Sequence, residues 1–287
     1  MDGTTDRAGD ARSRRHAPGR SRALPAPGVR RFGRVNWLGL WTLYAREVWR
    51  FAKIWAQTLM APLATAGLFM AVFHFALAER RGDVGGVPFT AFLAPGVLMM
   101  TVVQNAFANT SSSLIIAKVQ GNIVDTLMPP LSPGELVAGY ALSGATRGVA
   151  VGLAVGLPVF PALGMTVAEP LWALAFLVAG ALALSLAGLI VGVLCWKFDQ
   201  MAAITNFIVT PLAFLSGTFY SVADLPAAFQ TVSRLNPVFH LIDGFRFGVL
   251  GAADGEPALA LALAGATAVV LWLAAWLLFR RGAGLKA

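Results

Sequence analysis

Runs of apolar residues constrain this chain more than any other feature. Six of them are long enough to cross a bilayer as helices, which takes about 20 residues each. They run roughly over Ile54–Leu77, a charge-free stretch within Phe89–Ala117, Glu135–Leu163, Leu171–Trp196, Met201–Tyr220 and Ala258–Phe279. Pro62 lies inside the first, where a membrane helix tolerates it because neighbouring groups satisfy the freed carbonyl. Gly and Ala recur throughout, as close helix packing in lipid favours. The composition agrees. Of 287 residues, 57% are hydrophobic and 13% charged, against about 25% charged in a soluble domain. A soluble enzyme is thereby excluded.

The basic residues set the expected orientation. Of 22 Lys and Arg, 12 precede residue 54, and nine of these are arginines in the first 35 residues. With the N-terminus in the cytoplasm, that side holds 17 and the outer side four (Arg80, Arg81, Arg234, Arg246), with Arg147 inside the third span. This bias predicts both termini inside and an even number of crossings. Residues 1–35 mix arginine with Gly, Pro, Ala, Asp2, Asp6 and Asp10 and show no apolar period. They are expected to be a disordered cytoplasmic tail, not a secretory signal. With Phe32 as its one aromatic, the tail gives no reason to expect nucleic acid as a partner, despite the net charge of +8.

Residues 36–55 read differently. Trp37, Trp41, Tyr44, Val48, Phe51 and Trp55 fall on one helical face, and Arg46, Arg50 and Lys53 on the opposite one. The pattern predicts an amphipathic helix in the membrane interface, anchored by Trp37, Trp41, Tyr44 and Trp55, with its cations toward water. Between spans five and six, Val238–Leu250 is apolar but only 13 residues long, too short to cross. Leu225, Phe229, Val232 and Leu235 precede it at helical spacing, and Asn236-Pro237 separates the two pieces. Two short helices on the outer side are expected. Asp243 and Arg246 stand at i, i+3, where they can pair.

Little in the chain could perform chemistry by itself. A P-loop needs GxxxxGK[ST], and none of the four lysines is followed by Ser or Thr. Cys195 is the only cysteine, and His16, His74 and His240 form no metal-ligand pattern, so no metal is expected. The apolar interiors of the six spans contain no Asp or Glu, which disfavours an ion-driven transporter. Ser132-Pro133-Gly134-Glu135 reads as a capping box. Arg147 lies about 12 residues into its span, roughly 18 Å at 1.5 Å per residue. A charge at that depth is a functional candidate by default. The end of span two, Gln104 to Ser113, is unusually polar; such residues bond across helices or line a polar path. In the inside loop 117–132, Val119, Ile123, Val124 and Leu127 could form one face of a short helix, a natural docking surface.

Two stretches carry a family resemblance. Leu93–Val149, and Phe214–Gly251 with its succession of Ser-Gly-x-Phe-Tyr, Leu-Pro, Leu-Asn-Pro, Gly-Phe-Arg and Leu-Gly, resemble ABC-2-type permeases, similar to bacterial inner-membrane exporters of the nodulation-factor and daunorubicin type. The resemblance covers about residues 36–286 and leaves the Arg-rich tail unmatched. It implies a subunit that pairs with a second permease copy, as a homodimer, and docks two copies of a cytosolic ABC ATPase. ATP and Mg would bind that partner, and no cofactor this chain. It places the ATPase-coupling helix at Gln120, Gly121, Asn122, Ile123, Asp125, Thr126 and Leu127, with Asp125 its acidic residue.

The expectation is therefore an all-α integral membrane protein: a tail over 1–35, an interfacial helix over 36–53 and a six-helix permease domain over 54–287, with two outer half-helices between spans five and six. It would export a hydrophobic or amphiphilic substrate (drug, lipid or lipid-linked saccharide) across the bacterial inner membrane. Gln104, Asn105, Asn109 and Arg147 are candidates for the path, and Asp243 and Arg246 for an outer gate. An ion-coupled transporter and a non-transporting membrane scaffold are the alternatives; the first would need the proton gradient rather than ATP, the second the tail.

Overall fold

The computed structural model describes residues 33, 35–77, 84 and 86–284. The expected tail falls outside these but for Gly33 and Val35, as do Arg80, Arg81 and Lys286. Among the described residues the secondary structure is helical, apart from one antiparallel bridge between Val84 and Val87. Five helices among the described residues are long and apolar enough to cross a membrane: α2 (Trp55–Leu77), α3 (Phe89–Val119), α5 (Pro133–Ala162), α6 (Pro170–Leu194) and α11 (Pro257–Arg281). They match five of the expected spans closely.

The expected fifth span, Met201–Tyr220, differs. It is a composite of α7 (Phe198–Ile204), a π-helical turn (Thr205–Val209) and α8 (Thr210–Phe214). Pro211 explains the widened turn. Its ring crowds the carbonyl four residues back, and in the wider turn the Thr210 amide reaches the Thr205 carbonyl instead. The helix stops at Phe214, and Leu215 to Ser221 form turns and irregular backbone. Seventeen residues, Phe198 to Phe214, rise about 25 Å, a little less than a hydrocarbon core.

α3 and α6 form the centre. Of their most apolar windows, 67% and 56% are buried, against 17% for α11 and 11% for α2. α5 closes on this pair along Gly144, Gly148, Gly152 and Gly156, which share one helical face. A methyl group on Gly148 would lie 2.9 Å from the Ala181 Cβ, and one on Gly144 would collide with the Ser185 Oγ. On α6, a methyl group on Gly188 would strike the Phe107 carbonyl. Small residues bring these backbones into direct contact, the source of packing energy where lipid tails are as apolar as side chains.

Side-chain caps hold the helix ends. Ser132 and Glu135 form the expected box at α5, with Pro133 first in the helix. The Glu135 carboxylate also accepts from the Asn36 amide at 2.5 Å, which ties the start of α1 (Trp37–Ala52) to the start of α5. At the end of α6, Lys118 donates to the carbonyls of Val193 (2.5 Å) and Cys195 (3.0 Å) and lies over the Trp196 ring. A cation at a helix C-terminus satisfies carbonyls that the helix cannot.

At the other end, α9 (Ala227–Leu235) and α10 (Pro237–Leu250) are the two short helices expected there. α9 exposes Phe229, Val232 and Leu235, whereas α10 is largely buried. Its Gly244 accommodates the Phe176 ring and its Gly248 the Ala173 backbone. Between them, the Asn236 amide donates to the Leu212 carbonyl (2.9 Å) and the Ser216 hydroxyl (2.7 Å), fastening this hairpin to α8.

Candidate functional site

The expected docking helix forms at α4 (Ile123–Leu127). Gly121 ends the α3 turn with a φ of 74°, a left-handed conformation that favours glycine. The inward face of α4 is not the apolar row Val119, Ile123, Val124 and Leu127. Val119 still belongs to α3, Ile123 and Thr126 are buried, and Val124, Leu127 and Met128 are exposed. Five residues make little more than one turn, so two inward contacts at i, i+3 leave the rest outside. Gln120, Gly121, Asn122 and Asp125 are exposed as well.

α1 carries a correction. Trp37, Trp41 and Trp55 are exposed, as lipid anchors would be without lipid, and the Tyr44 hydroxyl pairs with Thr146 at 3.0 Å. Arg46 and Arg50, however, do not simply point to water. The helix lies against the bundle along Leu43, Glu47 and Phe51, on the border between the two expected faces. Glu47 is 2% exposed. It accepts from Arg46 at 3.1 Å, Arg50 at 3.0 Å and the Ser113 hydroxyl at 2.6 Å. Arg50 continues to the side-chain and backbone oxygens of Asn109. Arg46 continues to the Tyr140 hydroxyl (3.2 Å) and to Thr126 of α4 (3.3 Å). One carboxylate thus joins α1, α3, α5 and α4. The sequence reading missed it, although a lone Glu flanked by Arg at i−1 and i+3 on an aromatic helix was a signal for it. A groove of about 490 Å³ lies between this network and α4, lined by Arg46, Arg50, Lys53, Gln120 and Asp125 among others.

Gln104, Asn105 and Arg147 line one cavity of about 350 Å³, with Ile54 of the turn before α2, Gln57, Thr58 and Pro62 of α2 and Thr101 of α3. Asn109 is not among them. It lies one turn further along α3, fully buried, facing Ser143 and accepting from Arg50. Arg147 reaches Asn105 at 3.4 Å.

At the opposite end, Asp243 and Arg246 do come together, at 3.7 Å, both about as buried as the core. Asp243 accepts from the amides of Asp254 and Gly255, each at 2.9 Å. Arg246 donates to the Gly217 carbonyl at 2.6 Å and lies 3.9 Å from the centre of the Phe92 ring. Asp254 in turn accepts from Ser221 and the Val222 amide. These bonds join α10 to the turn after α8 and to the loop leading into α11.

The geometry is that of a packed membrane bundle with a small helix projecting at one end. Comparison with known proteins agrees. Residues 39–250 match the family model described as ABC-2 type transporter. The inner membrane transport permease YadH of Escherichia coli (strain K12) is 37% identical over 252 residues, which is 88% of this chain and 98% of that protein. Nodulation protein J of Rhizobium leguminosarum bv. trifolii is 30% identical over 222 residues, covering 76% and 83%. Nodulation protein J of Rhizobium meliloti (strain 1021) is 28% identical over 232 residues, covering 80% and 85%. The chain belongs to the ABC-2 type transporter family and is a multi-pass membrane subunit of an ABC transporter.

Proposed function

We propose that the chain is the permease of an exporter driven by a separate ATPase, in the bacterial inner membrane where its relative YadH is named to act. The composite helix Phe198–Phe214 makes the sixth crossing, which leaves both termini in the cytoplasm, as the basic residues favour. Two copies pair, and each docks an ATPase subunit. The observation that carries this reading is α4. It is pinned inward by Ile123 and Thr126 and presents Val124, Asp125, Leu127 and Met128 outward, beside the Glu47 network. A partner pressing on α4 pushes through Thr126 and Arg46 onto the helices around Glu47, so ATP-driven closure of the partners tilts the two permease halves. Substrate passes beside Gln104, Asn105 and Arg147, and the clasp at Asp243 and Arg246 belongs to the outer gate.

The test is purification of the tagged full chain from its native membrane in mild detergent, followed by identification of what accompanies it and an ATPase assay. A P-loop ATPase is expected with the wild type and is expected to be lost with Asp125→Lys. A chain that purifies without an ATPase, under conditions that keep other membrane complexes whole, would overturn the proposal.

A further inference from the structure

Arg147 is a cation at membrane depth with no counter-ion among the described residues. Its Nη2 contact to Asn105 is 3.4 Å, near the outer limit of a hydrogen bond, and its buried Nε has no partner. No ion pair includes it among the described residues. Glu47 is already engaged by Arg46, Arg50 and Ser113. Such a cation is costly to keep in a bilayer, and membrane proteins usually pair it. Here the space beside it is a cavity whose other polar members are neutral: Gln57, Thr58, Thr65, Thr101, Gln104 and Asn105.

We infer that this cavity receives the anionic group of an amphiphilic substrate, a phosphate or carboxylate for which Arg147 is the counter-ion. The inference rests on the reading of the cavity as part of the substrate path. Three observations shape it. The charge is unspent, and a guanidinium offers a planar set of donors suited to two oxygens at once. At about 350 Å³ the cavity is at the small end of ligand sites and suits a headgroup better than a whole lipid. Its wall is exposed at Ile54, just before α2, and at Gln57 and Ala61 of α2, so an attached apolar chain can lie outside against the helix.

The test measures binding to the purified full chain in neutral maltoside micelles, with no ATPase added. The probes are lysophosphatidic acid, the uncharged monoacylglycerol of the same chain length, and inorganic phosphate, each followed by thermal stabilisation. Lysophosphatidic acid is expected to bind about tenfold more tightly than the monoacylglycerol, as one charge-assisted bidentate contact allows. Arg147→Lys should keep most of that preference and Arg147→Gln should lose it. Thr101→Leu, which narrows the cavity without touching the charge, should weaken the anionic probe; it carries the test if Arg147→Gln does not yield monodisperse protein. Equal binding of the two lipids by the wild type, or a preference that survives both substitutions, would overturn the inference. Inorganic phosphate that displaces lysophosphatidic acid at equal concentration would also overturn it, by showing a small-anion site with no need for the chain. The permease reading fails separately, through the absent ATPase.

Discussion

Replacing Glu47 by alanine removes the one acceptor on which three donors converge. The side chain is 3% exposed, whereas Arg46 and Arg50 are 49% and 30% exposed. The loss is therefore smaller than that of a fully buried pair, because both arginines can rehydrate. The Ser113 bond, at 2.6 Å and enclosed, is worth about 2 kcal/mol as a hydrogen bond to a charge. The Arg50 pair adds about 1 kcal/mol and the more exposed Arg46 pair about half of that. A destabilisation of about 3 kcal/mol follows, or a midpoint lowered by about 6–12 °C on the scale of domains of comparable length. The assay is the fraction of detergent-solubilised protein that stays monodisperse on size exclusion after brief heating. Glu47→Gln keeps the shape and one acceptor and should cost about half as much. Combining Glu47→Gln with Arg50→Gln should cost less than the two separately, because they share one interaction. A shift below about 2 °C for Glu47→Ala would refute the argument, since it would mean that the network is worth no more than a surface pair.

Other outcomes follow by the same assay. Lys118→Ala should cost about 1–2 kcal/mol, through two uncapped carbonyls of α6 and the lost contact with Trp196, and Lys118→Arg should recover part of it. Gly188→Ala should cost about 1–3 kcal/mol because the Phe107 backbone cannot step aside. Gly265→Ala in α11, with open space around it, should instead stabilise by about 0.5–1 kcal/mol. Asp243→Ala should cost about 3–5 kcal/mol, because it leaves Arg246 buried without its partner and frees the amides of Asp254 and Gly255.

The sequence conveyed the helices better than their faces. Span limits, the capping box at Ser132, the break at Asn236-Pro237 and the pairing of Asp243 with Arg246 are local properties, written in composition or in spacing over a few residues. The composite helix was half legible. Its apolar run was visible, but the widened turn depends on how the backbone settles around Pro211, and apolar residues suit either geometry. The orientation of α1 was the main loss. Opposite aromatic and basic faces identify an interfacial helix, but a helix on a protein surface has a third side. Which side meets the bundle depends on Ser113 and Asn109, more than 50 residues later in the chain. The same partners drew Asn109 away from the cavity that Gln104, Asn105 and Arg147 share. Membership of the family was legible from Phe214–Gly251, because those motifs build the hairpin and clasp that the structure shows.

The cap on α6 also has a consequence in time. Lys118 and its acceptor Val193 are 75 residues apart, so the ribosome needs roughly 4–15 s to make one after the other. Through that interval the ammonium has no α6 carbonyl to meet, and in the orientation proposed above it is available as a retention signal for the nascent α3. Once α6 arrives, the same group, still charged, closes over its last carbonyls. A substitution there would thus act twice, once on which way α3 enters and once on how firmly α6 stays. Pulse-labelling of insertion would separate the early effect from the late one.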